Sequence, residues 1–240
     1  MQQQDPDLAE KVRIDFTKIA ANNPKALKVL AFLYEELEAY TSAEKIYRRI
    51  VSLDPSSVEN YRNLAATCAK TNRYLESFEW YLQLLNDEHI QKNSSLTKTL
   101  THDLRNLIAH RKNKLPYQRL PNDWLASGFD FDTKIALEWN NPEAAFQVQF
   151  VNPSKRYFNI SKPKKEGKEP LLIDFKIDKN DRGDWLINLK NNLAEDELPV
   201  PTYMKLTVYK NYGLINESRE TKIIDMNTLQ NKMNIYQLSY

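Results

Sequence analysis

The residues able to do chemistry are few and scattered. His89, His102 and His110 are the only histidines, and none has a second ligand at a metal-binding spacing. His102 and Asp103 are adjacent, so on a helix they point about 100° apart and do not form an orienting pair. All three histidines read as surface residues. Cys68 is the only cysteine, which excludes an internal disulfide. It falls at an apolar helical position with no basic residue placed to lower its pKa, and reads as a buried structural thiol. Gly128, Gly167, Gly183 and Gly213 are isolated, so the chain has neither a phosphate-cradling loop nor a nucleophile elbow. Carboxylate pairs are not decided by spacing, because distant strands can meet. No catalytic residue, metal site or cofactor is expected, and the chain reads as a non-enzyme.

The elements that would position these residues divide the chain. Of its 240 residues 41% are hydrophobic and 28% charged, enough apolar mass for one large core or two medium ones. Lys and Arg number 34 against 32 for Asp and Glu, so no strong overall field draws nucleic acid or an anionic membrane. No apolar run approaches the roughly 20 residues that span a bilayer, and Met1-Gln-Gln-Gln-Asp-Pro lacks the parts of a secretory signal. Up to about Lys114 apolar residues recur at three and four, as in Leu96, Leu100, Leu104, Leu107 and Ile108. From Phe131 the spacing falls to two, as in Ile135, Leu137 and Trp139, or Phe146, Val148 and Phe150. The expected architecture is α+β in two domains: an N-terminal α-α superhelix over 1–115, an ordered linker over 116–130, and an antiparallel β-sandwich over 131–240. Pro116 and Pro121 predict an extended linker. Its Leu115, Tyr117, Leu120, Trp124, Leu125 and Phe129 are too apolar for a solvated hinge. Trp124 should be substantially buried and the two domains held in one orientation.

A shift of 34 residues lays Leu27, Leu30, Ala31, Tyr40, Ala43 and Tyr47 onto Tyr61, Leu64, Ala65, Tyr74, Ser77 and Tyr81. Such a period marks a helix pair that buries its apolar face only by stacking on its neighbours. This pattern, with Leu53-Asp54-Pro55 between the repeats, resembles the tetratricopeptide repeat. Asp5-Pro6-Asp7 predicts a capping helix over Leu8–Ala21, and Ser94 or Ser95 should cap a closing helix that runs to about Arg111. The resemblance implies a concave groove that holds a protein or peptide, faced by Lys28, Phe32, Glu35, Arg62, Asn63 and Ala66. Lys28 and Asn63 match two positions of a known carboxylate grip. Phe32 stands where a second Asn is expected, and the next helix offers Asn93 and Thr97 instead of basic residues.

Eight strands are expected at about 131–139, 145–151, 155–160, 171–176, 184–190, 202–210, 219–225 and 232–238, with a solvated loop over 162–170. Thr133 to Trp139, Phe146 to Pro153, Gly183 to Leu189 and Lys205 to Gly213 together resemble the sandwich domain known as domain of unknown function 2135. That resemblance covers roughly 128–226. It implies a periplasmic or cell-envelope location and a place in the C-terminal part of a longer architecture. Where many relatives carry several Asp and a His, this chain has Asn140, Asn141, Pro142, Glu143, Gln147 and Gln149. One carboxylate does not hold a hard cation, so no metal is expected there. Trp139, Phe150 and Trp185 suit the inner faces of a sandwich, whereas Tyr157, Tyr209 and Tyr212 are less committed. The functional expectation is a non-enzymatic envelope adaptor that binds through the helical groove, a sandwich face, or both. The alternative is a carbohydrate-binding module whose glycan platform draws on those three tyrosines.

Overall fold

The computed structural model describes residues 22–125, 128–163, 171–191, 201–229 and 232–240. The helix expected over Leu8–Ala21 and most of the loop expected over 162–170 lie outside the described residues. The chain forms two compact units, one of Met1–Phe129 with Asn211–Ser218, the second of Asp130–Lys210 with Arg219–Tyr240. The first unit is therefore discontinuous in sequence and takes in the segment that connects two strands.

Helices α1 (Pro24–Glu36), α2 (Tyr40–Leu53), α3 (Val58–Lys70) and α4 (Tyr74–Leu85) make up the repeated part of the first unit. α1 and α3 have the same length and start 34 residues apart, as do the starts of α2 and α4. Asn23 caps α1 by accepting from the Lys25 and Ala26 N–H groups, and Pro24 opens the helix where no N–H is needed. Ala31, Ala43, Ala65 and Ser77 are fully buried, because only small side chains let the helices approach closely. After the short α5 (Glu88–Gln91), α6 (Ser94–Arg111) lays Leu96, Leu100, Leu104 and Leu107 against Phe78, Tyr81 and Leu85 of α4. Asn93, not a serine, is its N-cap: the side chain accepts from Leu96 N–H at 3.0 Å.

The stretch expected to be extended is instead coiled into 3₁₀ turns at Lys112–Lys114 and Tyr117–Arg119, followed by the four-residue α7 (Asn122–Leu125). Leu115 and Leu120, each next to a proline, adopt extended backbone. Leu115 is buried, and Tyr117, Leu120, Trp124 and Leu125 pack partly buried against the core of α4 and α6. Trp124 is thus half-covered within the first unit.

In each repeat one residue of the inter-helix turn takes a left-handed conformation: Glu38 at φ 54° and, 34 positions later, Asn72 at φ 65°. Asn tolerates this region, whereas Glu meets its own Cβ there at a cost of roughly 1 kcal/mol. Glu38→Gly should therefore raise the unfolding free energy by about 0.5–1 kcal/mol, measured by denaturant titration, while Asn72→Gly, which removes the acceptor of the Tyr74 hydroxyl, should bring no such gain.

Strands β1 (Phe131–Trp139), β2 (Phe146–Val151), β3 (Tyr157–Lys162), β4 (Leu172–Asp178), β5 (Trp185–Asn191), β6 (Tyr203–Lys210), β7 (Ser218–Asp225) and β8 (Met233–Leu238) form two antiparallel four-stranded sheets. Sheet A has the order β4-β1-β6-β7, and sheet B the order β3-β2-β5-β8. Ile135, Leu137, Trp139, Leu206 and Val208 of sheet A meet Phe146, Val148, Phe150, Ile187 and Leu189 of sheet B in one core. Phe150 stacks on Phe175 with centroids 3.8 Å apart, and Trp139 meets Phe146 edge to face. Trp139, Phe150 and Trp185 are buried there.

The second face of sheet A is unusual. β1 is buried along its whole length, so Lys134 and Glu138, which alternate with core residues, are also removed from water. Lys134 Nζ lies 3.1 Å from Asp174 Oδ2, and Lys205 Nζ lies 2.8 Å from Glu138 Oε2. Each ammonium thus has a carboxylate partner, as burial of charge demands.

Candidate functional site

The residues expected to face an open groove are mostly buried. Lys28, Phe32, Glu35, Arg62 and Asn63 are all nearly inaccessible, and only Ala66 is partly exposed. Phe32 belongs to the core. Lys28 Nζ sits 6.0 Å from the Phe32 ring centroid, and Glu35 accepts a 2.6 Å hydrogen bond from the Tyr47 hydroxyl. Arg62 Nε donates to Asp103 Oδ2 at 2.6 Å. A 3.6-residue period identifies which side chains share a face but not what lies on that face, and here it holds internal partners.

The partner of Arg62 leads to the site that sequence reasoning missed. On α6, Asp103, Asn106 and His110, spaced by three and four, form one strip, with His102 at its edge. Residues 211–218 lie along it, within the first unit. The Tyr212 hydroxyl is 3.1 Å from Asp103 Oδ1 and 3.3 Å from the His102 carbonyl. Asp103 thereby connects Arg62 of α3 to Tyr212. Phe129 packs its ring against Tyr212, with centroids 4.8 Å apart, and against the edge of His102 at 5.7 Å. The Arg105 guanidinium covers Phe129 at 4.7 Å. Gly213, at φ 76°, has no room for a side chain, since a Cβ there would come within 2.3 Å of the Phe129 ring.

Glu217 is the second anchor. Its Oε2 accepts from Asn106 Nδ2 at 2.6 Å and from the Gly213 N–H at 2.8 Å, and His110 Nε2 stands 3.3 Å away. Burial alone would raise its pKa. The hydrogen bonds from His110, Gly213 and Asn106 outweigh it and hold the carboxyl below its ordinary value. A carboxyl with a depressed folded pKa contributes stability that is fully present above its unfolded pKa and lost as pH falls through the folded one. The stability difference between wild type and Glu217→Gln should therefore be constant from neutral pH to the ordinary carboxylate range and shrink below it. Denaturant titrations at descending pH would measure this, and a difference that grows on acidification would contradict the assignment.

Between these anchors Leu214 is half-exposed and Ile215 fully exposed. The segment is thus fixed at both ends and presents two large apolar side chains outward.

The three tyrosines do not assemble into one platform. Tyr157 is 64% exposed on edge strand β3 of sheet B. Tyr209 is on β6 of sheet A, half-buried, with the Arg219 guanidinium 5.7 Å from its ring. Tyr212 is buried in the first unit. Local sequence does not carry this separation, which depends on which sheet each strand joins.

His102 is buried as well, correcting its reading as a surface residue, while His89 is exposed. Cys68 does have a cation nearby: Arg48 Nη2 lies 3.7 Å from Sγ. Burial, with Glu76 and Glu44 close by, still pushes the thiol up to about 12, so it is unreactive. Arg48 is shared between Glu44 of its own helix and Glu76 of α4, at 2.9 and 2.6 Å. Among the described residues no three His, Cys, Asp or Glu side chains are grouped to hold a metal ion. Asn140 and Asn141, in the turn after β1, brace the chain near β6. Asn140 Oδ1 accepts from Tyr203 N–H at 2.8 Å, and Asn141 Nδ2 donates to Thr202 Oγ1 at 3.2 Å.

Gln147 and Gln149 belong to an exposed polar face. The strand register aligns Asn159 of β3, Gln149 of β2, Asn188 of β5 and Asn234 of β8 in one row across sheet B. Asn234 Nδ2 donates to Asn188 Oδ1 at 3.2 Å, Asn188 Nδ2 to Gln149 Oε1 at 3.2 Å, and Gln149 Nε2 to Asn159 Oδ1 at 3.1 Å. Lys232 Nζ also donates to Gln149 Oε1, and Gln147 Nε2 donates to Ser161 Oγ at 3.2 Å in the next row. Tyr157 and Val151 occupy the row on the opposite side. Only β2 alternates amides, at Gln147 and Gln149, while β3, β5 and β8 each give the row a single one. They become a row only once the register is fixed.

No protein-family model, curated protein or solved structure matches the chain. Among the described residues, no helix is long and apolar enough to cross a membrane.

Proposed function

We propose that the chain is a non-enzymatic adaptor of the bacterial cell envelope whose helical unit displays a clamped segment to a protein partner. The observation that carries this reading is the hold on residues 211–218, by Asp103 and Arg62 at one end and by Glu217 with Asn106 at the other. Leu214 and Ile215 are left outermost between the anchors. Ordering a segment before it meets a partner removes part of the entropic cost of binding, and an exposed aliphatic pair is suited to fill a partner's apolar pocket. The resemblance to tetratricopeptide repeats points to protein recognition, and the resemblance of the sandwich to domain of unknown function 2135 points to the envelope.

Replacing Leu214 with a photo-crosslinking amino acid and irradiating the full chain with envelope extract tests the reading. One protein should be crosslinked saturably, and Ile215→Asp should abolish its capture without changing the melting temperature, because Ile215 is fully exposed. Equal capture by Ile215→Asp would overturn the role of the segment. Arg62→Glu and Phe32→Ala do not serve as surface probes, since both positions are buried.

A further inference from the structure

We propose that the outer face of sheet B binds an anionic polysaccharide along the row Asn159, Gln149, Asn188 and Asn234. The site lies within the second unit and does not rest on the adaptor reading.

Sugar hydroxyls donate and accept, and so do amides, each with two N–H hydrogens and a carbonyl with two lone pairs. In the row every link runs the same way, from Asn234 to Asn188 to Gln149 to Asn159. Gln149 and Asn188 each commit one hydrogen to the neighbour, which leaves the second for a ligand. The links also fix the side-chain rotamers beforehand, so binding orders little that is not already ordered. Hydrogen bonds in a one-way chain polarise one another and strengthen the terminal donors and acceptors. The row crosses four strands, a span of about 14 Å, so it suits an extended chain better than a single small molecule.

Tyr157, 64% exposed, stands in the adjacent row and offers an aromatic ring on which a sugar can stack. Val151 and the exposed Leu186 continue that row across the central strands β2 and β5, an apolar strip beside the amides.

Lys190 on β5 and Lys232, whose Nζ reaches Gln149, bring two cations to the face, and Lys155 and Arg156 stand exposed in the turn before Tyr157. Of the residues that the register places on this face, none is acidic. A polysaccharide with carboxylates along it pairs with those ammonium groups, whereas a neutral one leaves them unused.

The test screens the full chain on an array of acidic and neutral glycans and titrates it with three probes: oligogalacturonate, the same oligomer fully methyl-esterified, and cellohexaose. Saturable binding to acidic sugars is expected, weakened about tenfold or more by Tyr157→Ala and by Gln149→Ala, and reduced by Lys232→Met and by added salt. Tyr157 is exposed on an edge strand, so its replacement leaves the fold intact even if Gln149→Ala disturbs the sheet. A blank array with no oligogalacturonate binding would overturn the proposal. So would binding that ignores Tyr157→Ala, equal binding of the methyl ester, or equal competition by a single-stranded oligonucleotide. Ile215→Asp should leave polysaccharide binding unchanged, so failure of the adaptor reading and failure of this one are told apart.

Discussion

Arg62→Ala should destabilise the protein by about 3–5 kcal/mol, because it leaves the Asp103 carboxylate buried without its cation. Both side chains are shielded, at 6% and 10% exposure, and joined at 2.6 Å. The penalty is mainly the cost of an uncompensated charge, so Asp103→Asn in the Arg62→Ala background should recover a large part of it. Asp103 also faces the Tyr212 hydroxyl, and the single variant should therefore loosen residues 211–218 as well, read as faster amide exchange at Gly213 and Glu217. Denaturant unfolding measures the first effect. A loss below about 1 kcal/mol would place the pair among ordinary surface ion pairs.

The second large effect belongs to sheet A. Lys134→Met should cost about 3–5 kcal/mol by stranding Asp174, which is 5% exposed. Lys134→Met combined with Asp174→Leu should be neutral or stabilising by about 1–4 kcal/mol, since the pair is replaced by apolar groups of similar size and neither charge need be desolvated. Comparison of the single and double variants by thermal and denaturant unfolding decides the point. A double variant as unstable as the single one would show that the fold depends on these charges for more than mutual neutralisation.

Much of the architecture was legible in the residues because it follows from period. The 34-residue spacing of Ala31 with Ala65 and Tyr40 with Tyr74 locates α1 to α4, and each strand begins within two residues of the place where alternation puts it. Function was less legible, for a definite reason. Arg62 reads as a groove residue until Asp103, 41 positions away, is known to face it, and Asp103 in turn meets Tyr212, 109 positions further on. Tyr157, Tyr209 and Tyr212 read as one aromatic set because they are alike in type. Strand pairing assigns the first two to different sheets, and tertiary contacts assign the third to the helical unit. The linker shows a similar limit. Its prolines set the backbone of Leu115 and Leu120 as expected, but Pro116 also leads into the 3₁₀ turn Tyr117–Arg119 and Pro121 into α7, which rules for isolated residues do not reveal.

The discontinuity of the first unit governs the order in which the chain can be completed. About 80 residues separate Phe129 from Asn211, so a ribosome that has made α1 to α7 has not yet made the piece that meets Asn106 and His110 and adds Tyr212 to the Arg62–Asp103 pair. Until Glu217 emerges, that strip of α6 faces water. Closing so long a loop carries an entropic cost, which the pairing of β1 with β6 largely meets, because that pairing already brings Thr133 opposite Lys210. Strand pairing should therefore precede the final ordering of the helices. A nascent chain arrested before Tyr212 should be cut by protease within α6 sooner than one arrested after Tyr240. The helical half, although made first, would then be the last to reach its finished state.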